Sequence, residues 1–204
     1  MTKSFYPHDG GLYANLTNRC PVACRFCAKH AQEWSFEGRD LLLTSETPLP
    51  ALRAELRERL RDVPRWKEVV FCGYGESTYR LPVMKSLGGD VRASGTGIGV
   101  RLNTVGLGDL IWDRDIVPEL ASFLDSVSVS LNTADEAQWL ELHRPSPAFR
   151  AEGFRASRRF AERCVAAGLR TRVTAVQLPE VDLDAVRDYA RRVGAEFLAR
   201  PPLA

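Results

Sequence analysis

Three cysteines lie within eight residues, in Cys20-Pro21-Val22-Ala23-Cys24-Arg25-Phe26-Cys27, at C-x3-C-x2-C spacing. A loop this short can bring three thiolates to one metal centre. Iron–sulfur clusters are held by such thiolates, but commonly by four of them. The chain has two further cysteines, Cys72 and Cys164, and both belong to other elements. A structural zinc ion also takes four ligands, and here His30 would have to be the fourth. The plainest alternative is three small buried residues and no metal. A total of five is odd, and clustered thiols in a chain without a secretory leader point to metal or redox chemistry rather than a disulfide framework.

The elements that must position this loop alternate strand and helix. Residues 12–17 alternate apolar and polar side chains, as a strand does, and lead directly into the cysteines. Further strands are predicted at 68–72, 98–103, 127–131, 169–177 and 196–200. Thr47-Pro48 supplies an N-cap and a first-turn proline for a helix with Leu49, Leu52, Leu56 and Leu60 on one face. Other helices are predicted at 81–87 and 116–124, and a short one starts at Thr133 with Glu136 at capping-box spacing. Ser146-Pro147 opens a longer helix closed by Gly168, and residues 183–193 form one that Gly194 ends. Six such units imply a parallel sheet with right-handed crossovers. A closed eight-unit barrel takes about 250 residues, so this length supplies about six units. An open sheet wound on both faces is the structural rival, and in either fold the loops after the strands' carboxyl ends form the ligand side.

Composition narrows the class. Hydrophobic residues are 45%, charged residues 26% and aromatics 9%, which is ordinary for a globular domain and unlike a disordered chain. Twenty-eight basic and 26 acidic residues leave a formal charge of +2, too little to recruit a polyanion by long-range attraction. No apolar leader follows Met1, and no apolar run approaches the roughly 18 residues of a membrane span. The chain reads as one domain over residues 1–204, soluble, cytoplasmic and without membrane association.

The cysteine motif, with Phe26 before its last cysteine and its place after the first strand, resembles the radical S-adenosylmethionine (SAM) superfamily. That resemblance implies that Cys20, Cys24 and Cys27 hold three irons of a [4Fe–4S] cluster, the fourth iron being left for the amino and carboxylate groups of SAM. It implies reductive cleavage of SAM to a 5′-deoxyadenosyl radical that abstracts hydrogen from a substrate. An open coordination position, awkward for a structural cluster, is what a catalytic metal site needs. Phe71-Cys72-Gly73-Tyr74-Gly75-Glu76 resembles the superfamily's G-G-E motif, which holds the methionine amino group, although Tyr74 replaces the first glycine. Arg101–Gly106 and Ser128–Asn132 resemble the segments ending the third and fourth strands. The resemblance places Phe26, Gly75, Glu76, Asn103, Thr104, Ser130 and Asn132 around SAM, in an α/β partial (β/α)6 barrel. Tyr13–Arg19 and Leu178–Asp182 extend the likeness to the small TatD-associated radical SAM proteins.

Other signals have blander readings. Cys72 and Cys164 read as core residues, and two spare cysteines cannot build a second four-cysteine cluster. Gly95-Thr96-Gly97-Ile98-Gly99 precedes a strand, whereas nucleotide loops follow one, so it reads as a connection away from the ligand side. Arg155, Arg158, Arg159 and Arg163 form a stripe that reads as a solvated helix face. Lys29 and His30 read as polar loop residues, and Arg144 as a helix-terminal residue, with an anion anchor as its alternative. The resemblance also implies an external flavodoxin- or ferredoxin-like electron donor and suggests a TatD-type nuclease partner. A bare core of this length leaves the open side of the barrel to a large substrate or a partner protein. The rival from another class is a non-catalytic iron–sulfur module for electron transfer or partner binding.

Overall fold

The computed structural model describes residues 4–27, 29, 33–61 and 66–202. Its framework is a seven-stranded sheet. In chain order the strands and helices are β1 (Phe5–His8), β2 (Gly11–Ala14), β3 (Ser35–Phe36), β4 (Arg39–Asp40), α1 (Leu49–Leu60), β5 (Glu68–Phe71), α2 (Leu81–Ala93) and β6 (Gly99–Thr104). There follow α3 (Gly108–Trp112), α4 (Val117–Ala121), β7 (Ser126–Ser130), α5 (Glu136–His143), α6 (Pro147–Arg150), α7 (Gly153–Ala166), β8 (Arg170–Val176), α8 (Leu183–Val193) and β9 (Glu196–Arg200).

The sheet order is β1-β2-β5-β6-β7-β8-β9. The six strands from β2 to β9 pair in parallel and β1 pairs antiparallel with β2. Among the described residues β1 and β9 do not pair with each other, so the sheet is an open, partial barrel of the predicted α/β class. The antiparallel edge is an addition: Asp9 and Gly10 both take positive φ (46° and 74°), the backbone of a tight hairpin turn. Glu37 and Gly38 make a similar turn between β3 and β4, which form a separate two-stranded ribbon after the cysteine loop.

Strand alternation divides the molecule into two faces. On β6, Val100, Leu102 and Thr104 are buried while Gly99, Arg101 and Asn103 are half-buried. The first set joins the core beneath the helices, with Leu52, Leu56, Phe123, Phe160 and Cys164. The second set faces the barrel interior. There Arg101 makes a forked ion pair with Glu68 (2.7–3.1 Å), and a smaller apolar cluster gathers Tyr6, Tyr13, Val70, Tyr74 and Cys72.

Several helix boundaries differ from expectation for identifiable reasons. Pro48, not Thr47, occupies the N-cap of α1, and the Thr47 hydroxyl pairs with that of Ser4 (2.8 Å). Asp135 rather than Thr133 caps α5, accepting from the Gln138 amide at 2.7 Å. The helix opened by Ser146 breaks after Arg150, and α7 restarts at Gly153 beneath Trp139, whose ring leaves no space for a Cβ there. The segment 116–124 is helical only over α4, whereas the helix beginning at residue 81 runs further, to Ala93. Gly194 ends α8 in the left-handed conformation, as expected. The glycine-rich segment 95–99 leads into β6 at the end opposite the cysteines.

Candidate functional site

The cysteine loop leaves β2 and is held by the far end of α5. The amides of Ala23 and Arg25 donate to the carbonyls of His143 (3.0 Å) and Leu142 (2.9 Å), and the Ser146 amide donates to Pro21 O (3.0 Å). The last carbonyls of a helix lack internal partners. Here the cysteine loop supplies them. Arg25 adds ion pairs to Glu141 (3.2 Å) and to Glu180. Arg144 ends α5 with φ 47° and an exposed side chain, which is the helix-terminal role rather than a buried anchor.

Cys20, Cys24 and Cys27 are free thiols, each half-buried. Burial pushes Cys20 up to about 11 and raises Cys24 further, and neighbouring thiolates add to both shifts. Three thiolates therefore stand together only with strong positive charge between them. Cationic iron supplies it, which is the sense in which this donor set fits an iron–sulfur cluster. Among the described residues, no three His, Cys, Asp or Glu side chains are placed to hold a single metal ion. Lys29 is buried, near the Trp34 ring (5.6 Å) and close enough to Cys20 and Cys24 to favour their thiolates. It is thus more than a polar loop residue; His30 lies outside the described residues.

The glutamate loop follows β5 and packs directly on the segment entering the cysteines. A Cβ on Gly75 would lie 2.1 Å from Thr17 O, and one on Gly73 would lie 2.1 Å from the Asn15 side chain. Glycine at both positions lets the two loops touch, and the Glu76 amide donates to Arg19 O at 2.7 Å. The Glu76 carboxylate is 4% exposed. One oxygen accepts from the Thr78 amide (3.2 Å) and hydroxyl (2.9 Å), the other from the Thr104 hydroxyl and Val105 amide (both 2.9 Å). Burial raises its pKa above the usual carboxylate value despite these donors. An ammonium group is the ligand chemistry that such a buried anion, without a cationic partner in these contacts, recognises. The Tyr74 hydroxyl donates to Ser35 O (2.5 Å), so the residue replacing the motif's first glycine secures the β3–β4 ribbon.

The remaining candidates divide between two environments. Asn103 and Ser130 point into the barrel interior. Asn103 accepts from Arg101, and Ser130 lies 3.4 Å from the Thr174 hydroxyl and 3.3 Å from Arg200. Thr104 braces Glu76, and its oxygen also accepts from the Gly106 amide. Asn132 is fully buried at φ 65°, with its amide oxygen accepting from the Val176 amide at 3.0 Å. Phe26 sets its ring edge-on to His143, centroids 5.6 Å apart. Cys72 lies on the interior side against the tyrosines, and Cys164 is core, raised to about 12 by burial. The arginine stripe of α7 is consumed by Glu136, Glu152, Asp109 and the Tyr189 ring.

Two residues went unmarked in the sequence. Arg200, on the inner face of β9, donates from its guanidinium to the Ser130 hydroxyl at 3.3 Å, while its buried Nε has no hydrogen-bond partner among the described residues. Its signal is positional: an arginine at inward parity in the last strand. His143 lies 3.5 Å from Cys24 Sγ, a contact 119 residues apart that no local pattern announces.

An open α/β barrel whose strand ends carry three free thiols and a buried carboxylate has its candidate ligand groups on the side where such folds bind cofactors. The chain belongs to the radical SAM superfamily, whose family model matches residues 14–193. That superfamily uses a [4Fe–4S] cluster and SAM, and the three thiols and the buried Glu76 carboxylate are the groups of this chain that fit them. Solved structures agree on the fold. SuiB of Streptococcus suis bound to precursor peptide SuiA is 18% identical, with TM-score 0.61 over 92% of this chain and 38% of that one. A radical SAM methyltransferase from Sphaerobacter thermophilus is 16% identical, with TM-score 0.61 over 97% of this chain and 68% of that one. The FeFe-hydrogenase maturase HydG from Carboxydothermus hydrogenoformans is 16% identical, with TM-score 0.62 over 94% and 44%. This chain thus spans 38% of the SuiB chain and 44% of the HydG chain. No curated protein matches the sequence. Among the described residues no helix is long and apolar enough to cross a membrane.

Proposed function

We propose that this chain acts as a radical SAM catalytic core on a large substrate, or on one presented by a partner protein. Cys20, Cys24 and Cys27 hold the cluster in this reading, and Glu76 receives the ammonium of SAM. Asn103 and Ser130 line the interior wall beside it. When bound, the cluster and SAM together supply a 5′-deoxyadenosyl radical. The protein contributes the loop that holds three thiolates, the buried carboxylate that orients the cofactor, and a wall that shields the radical from water.

The observation that carries the large-substrate reading is the unclosed edge. Leu198, on the inner face of β9, is 40% exposed, as an inward residue is only where the barrel stands open. Covering that wall is a task for a macromolecule. The resemblance to small TatD-associated proteins suggests a nuclease-type partner, and reduction of the cluster requires an external flavodoxin- or ferredoxin-like donor. The test is anaerobic reconstitution, iron and sulfide analysis, and 5′-deoxyadenosine production with dithionite. The reading expects a further rise in 5′-deoxyadenosine with macromolecular substrates. A rise with small metabolites alone would overturn it.

A further inference from the structure

His143 is fully buried, yet its imidazole is surrounded by polar atoms on both nitrogens. Nδ1 lies 3.5 Å from Cys24 Sγ. Nε2 lies 3.1 Å from Asn132 Nδ2 and 3.3 Å from Leu131 O. The ring is clamped between a stacked Trp139 (4.6 Å, 17° between planes) and the edge of Phe26. Its orientation is therefore set by packing, and the open question is which nitrogen carries the proton.

Two neighbours answer it. The Asn132 amide cannot be turned over, because its oxygen already accepts from the Val176 N–H at 3.0 Å. Its NH2 therefore faces Nε2 and also Ser130 O (3.2 Å), so Nε2 is the acceptor. A neutral imidazole has one donor and one acceptor, which puts the hydrogen on Nδ1. On the other side, a metal-bound cysteine is a thiolate and can only accept. It selects the same tautomer. The competing arrangement, Nε2–H to Leu131 O, would set an Asn132 N–H against an N–H and leave a lone pair facing a thiolate. With the Asn132 N–H aimed at it, Nε2 holds no proton, and the ring is neutral.

We propose that His143 is a positioning residue for the cluster: its Nδ1–H, held in that tautomer by Asn132, donates to Cys24 Sγ and raises the cluster's reduction potential. Reduction adds negative charge that spreads onto the ligand sulfurs, so a donor at sulfur favours the reduced form. The inference rests on Cys24 being a cluster ligand.

The test is an anaerobic, EPR-monitored redox titration of the reconstituted holoenzyme. His143→Phe keeps an aromatic ring but removes the donor. Asn132→Leu keeps the imidazole but frees Nε2 to take the proton and donate to Leu131. His143→Asn places an amide N–H at the position of Nδ1. We expect His143→Phe and Asn132→Leu to weaken reduction about tenfold, a shift of about 59 mV to more negative potential for one electron. His143→Asn should recover most of that shift. Wild-type protein with 15N-histidine should show nitrogen coupling to the reduced cluster in pulsed EPR, together with an exchangeable deuteron coupling. If His143→Phe holds no cluster, the labelled wild type and the other two variants still decide. Unshifted potentials, an equal shift in His143→Asn, or no histidine coupling would overturn the proposal while leaving the radical SAM reading intact. A wild-type protein that takes up no iron and sulfide would sink both.

Discussion

Gly75→Ala perturbs the closest approach in the site. A Cβ there would sit 2.1 Å from Thr17 O and 2.7 Å from Arg19 O, and both atoms are backbone. Real carbon–oxygen contacts need about an ångström more, so the glutamate loop and the segment entering the cysteines must separate. Overpacking of this kind costs about 1–3 kcal/mol. The Glu76 N–H to Arg19 O bond (2.7 Å) goes with it, adding about 1 kcal/mol. The expected loss is about 2–4 kcal/mol, a large share of the 5–15 or so that a domain of this kind has. Gly89→Ala is the control: it lies exposed within α2, and nothing stands within 4 Å of its Cβ position. There alanine should stabilise by about 0.5–1 kcal/mol. The assay is urea unfolding of the apo-protein, followed by iron and sulfide content after reconstitution. Because Arg19 adjoins Cys20, iron content should fall in Gly75→Ala and stay at wild-type level in Gly89→Ala. A Gly75→Ala protein within about 1 kcal/mol of wild type, with full iron, would refute the claim that this contact positions the cysteine loop.

Glu76→Ala should retain the cluster and lose at least about tenfold in SAM affinity by equilibrium dialysis, as expected for a charge-assisted contact. Unchanged affinity would favour the rival of a non-catalytic iron–sulfur module. Glu68→Gln leaves the Arg101 guanidinium, 15% exposed, without its carboxylate, and should cost about 2–3 kcal/mol in urea unfolding. A loss under about 0.5 kcal/mol would mean that solvent already screens the pair. Arg114 and Lys85 hold the Glu119 pKa below its usual value, so its contribution is present above about pH 4.5 and disappears as pH falls through the lower folded-state pKa. The Tm difference between wild-type apo-protein and Glu119→Gln should therefore be larger at pH 7 than at pH 3; a difference independent of pH would contradict this.

The chemistry was legible because it is local. Three thiols on one short loop need no knowledge of the fold to be grouped, and Gly75-Glu76 follows a strand recognisable from its β-branched residues. Alternation and leucine spacing likewise disclosed the six parallel strands and the helices over them. The Asp9-Gly10 hairpin was readable in principle, since that dipeptide favours a tight turn, but β1 is only four residues long. The ribbon at Glu37-Gly38 had less: two two-residue strands secured by Tyr74 from another loop.

What the sequence by itself determined, then, is a group of three candidate thiol ligands and the alternation that brings them to the strands' carboxyl ends. Short-range spacing and periodic burial carry that information along the chain. Only the tertiary structure decided what surrounds those ligands. It set His143 against Cys24, turned Thr104 and Asn132 into buried braces, and placed the cysteine loop over the carbonyls that end α5. It also left the inner wall at β9 open. Those contacts join residues up to 119 positions apart, and their geometry follows from packing, which no local pattern encodes.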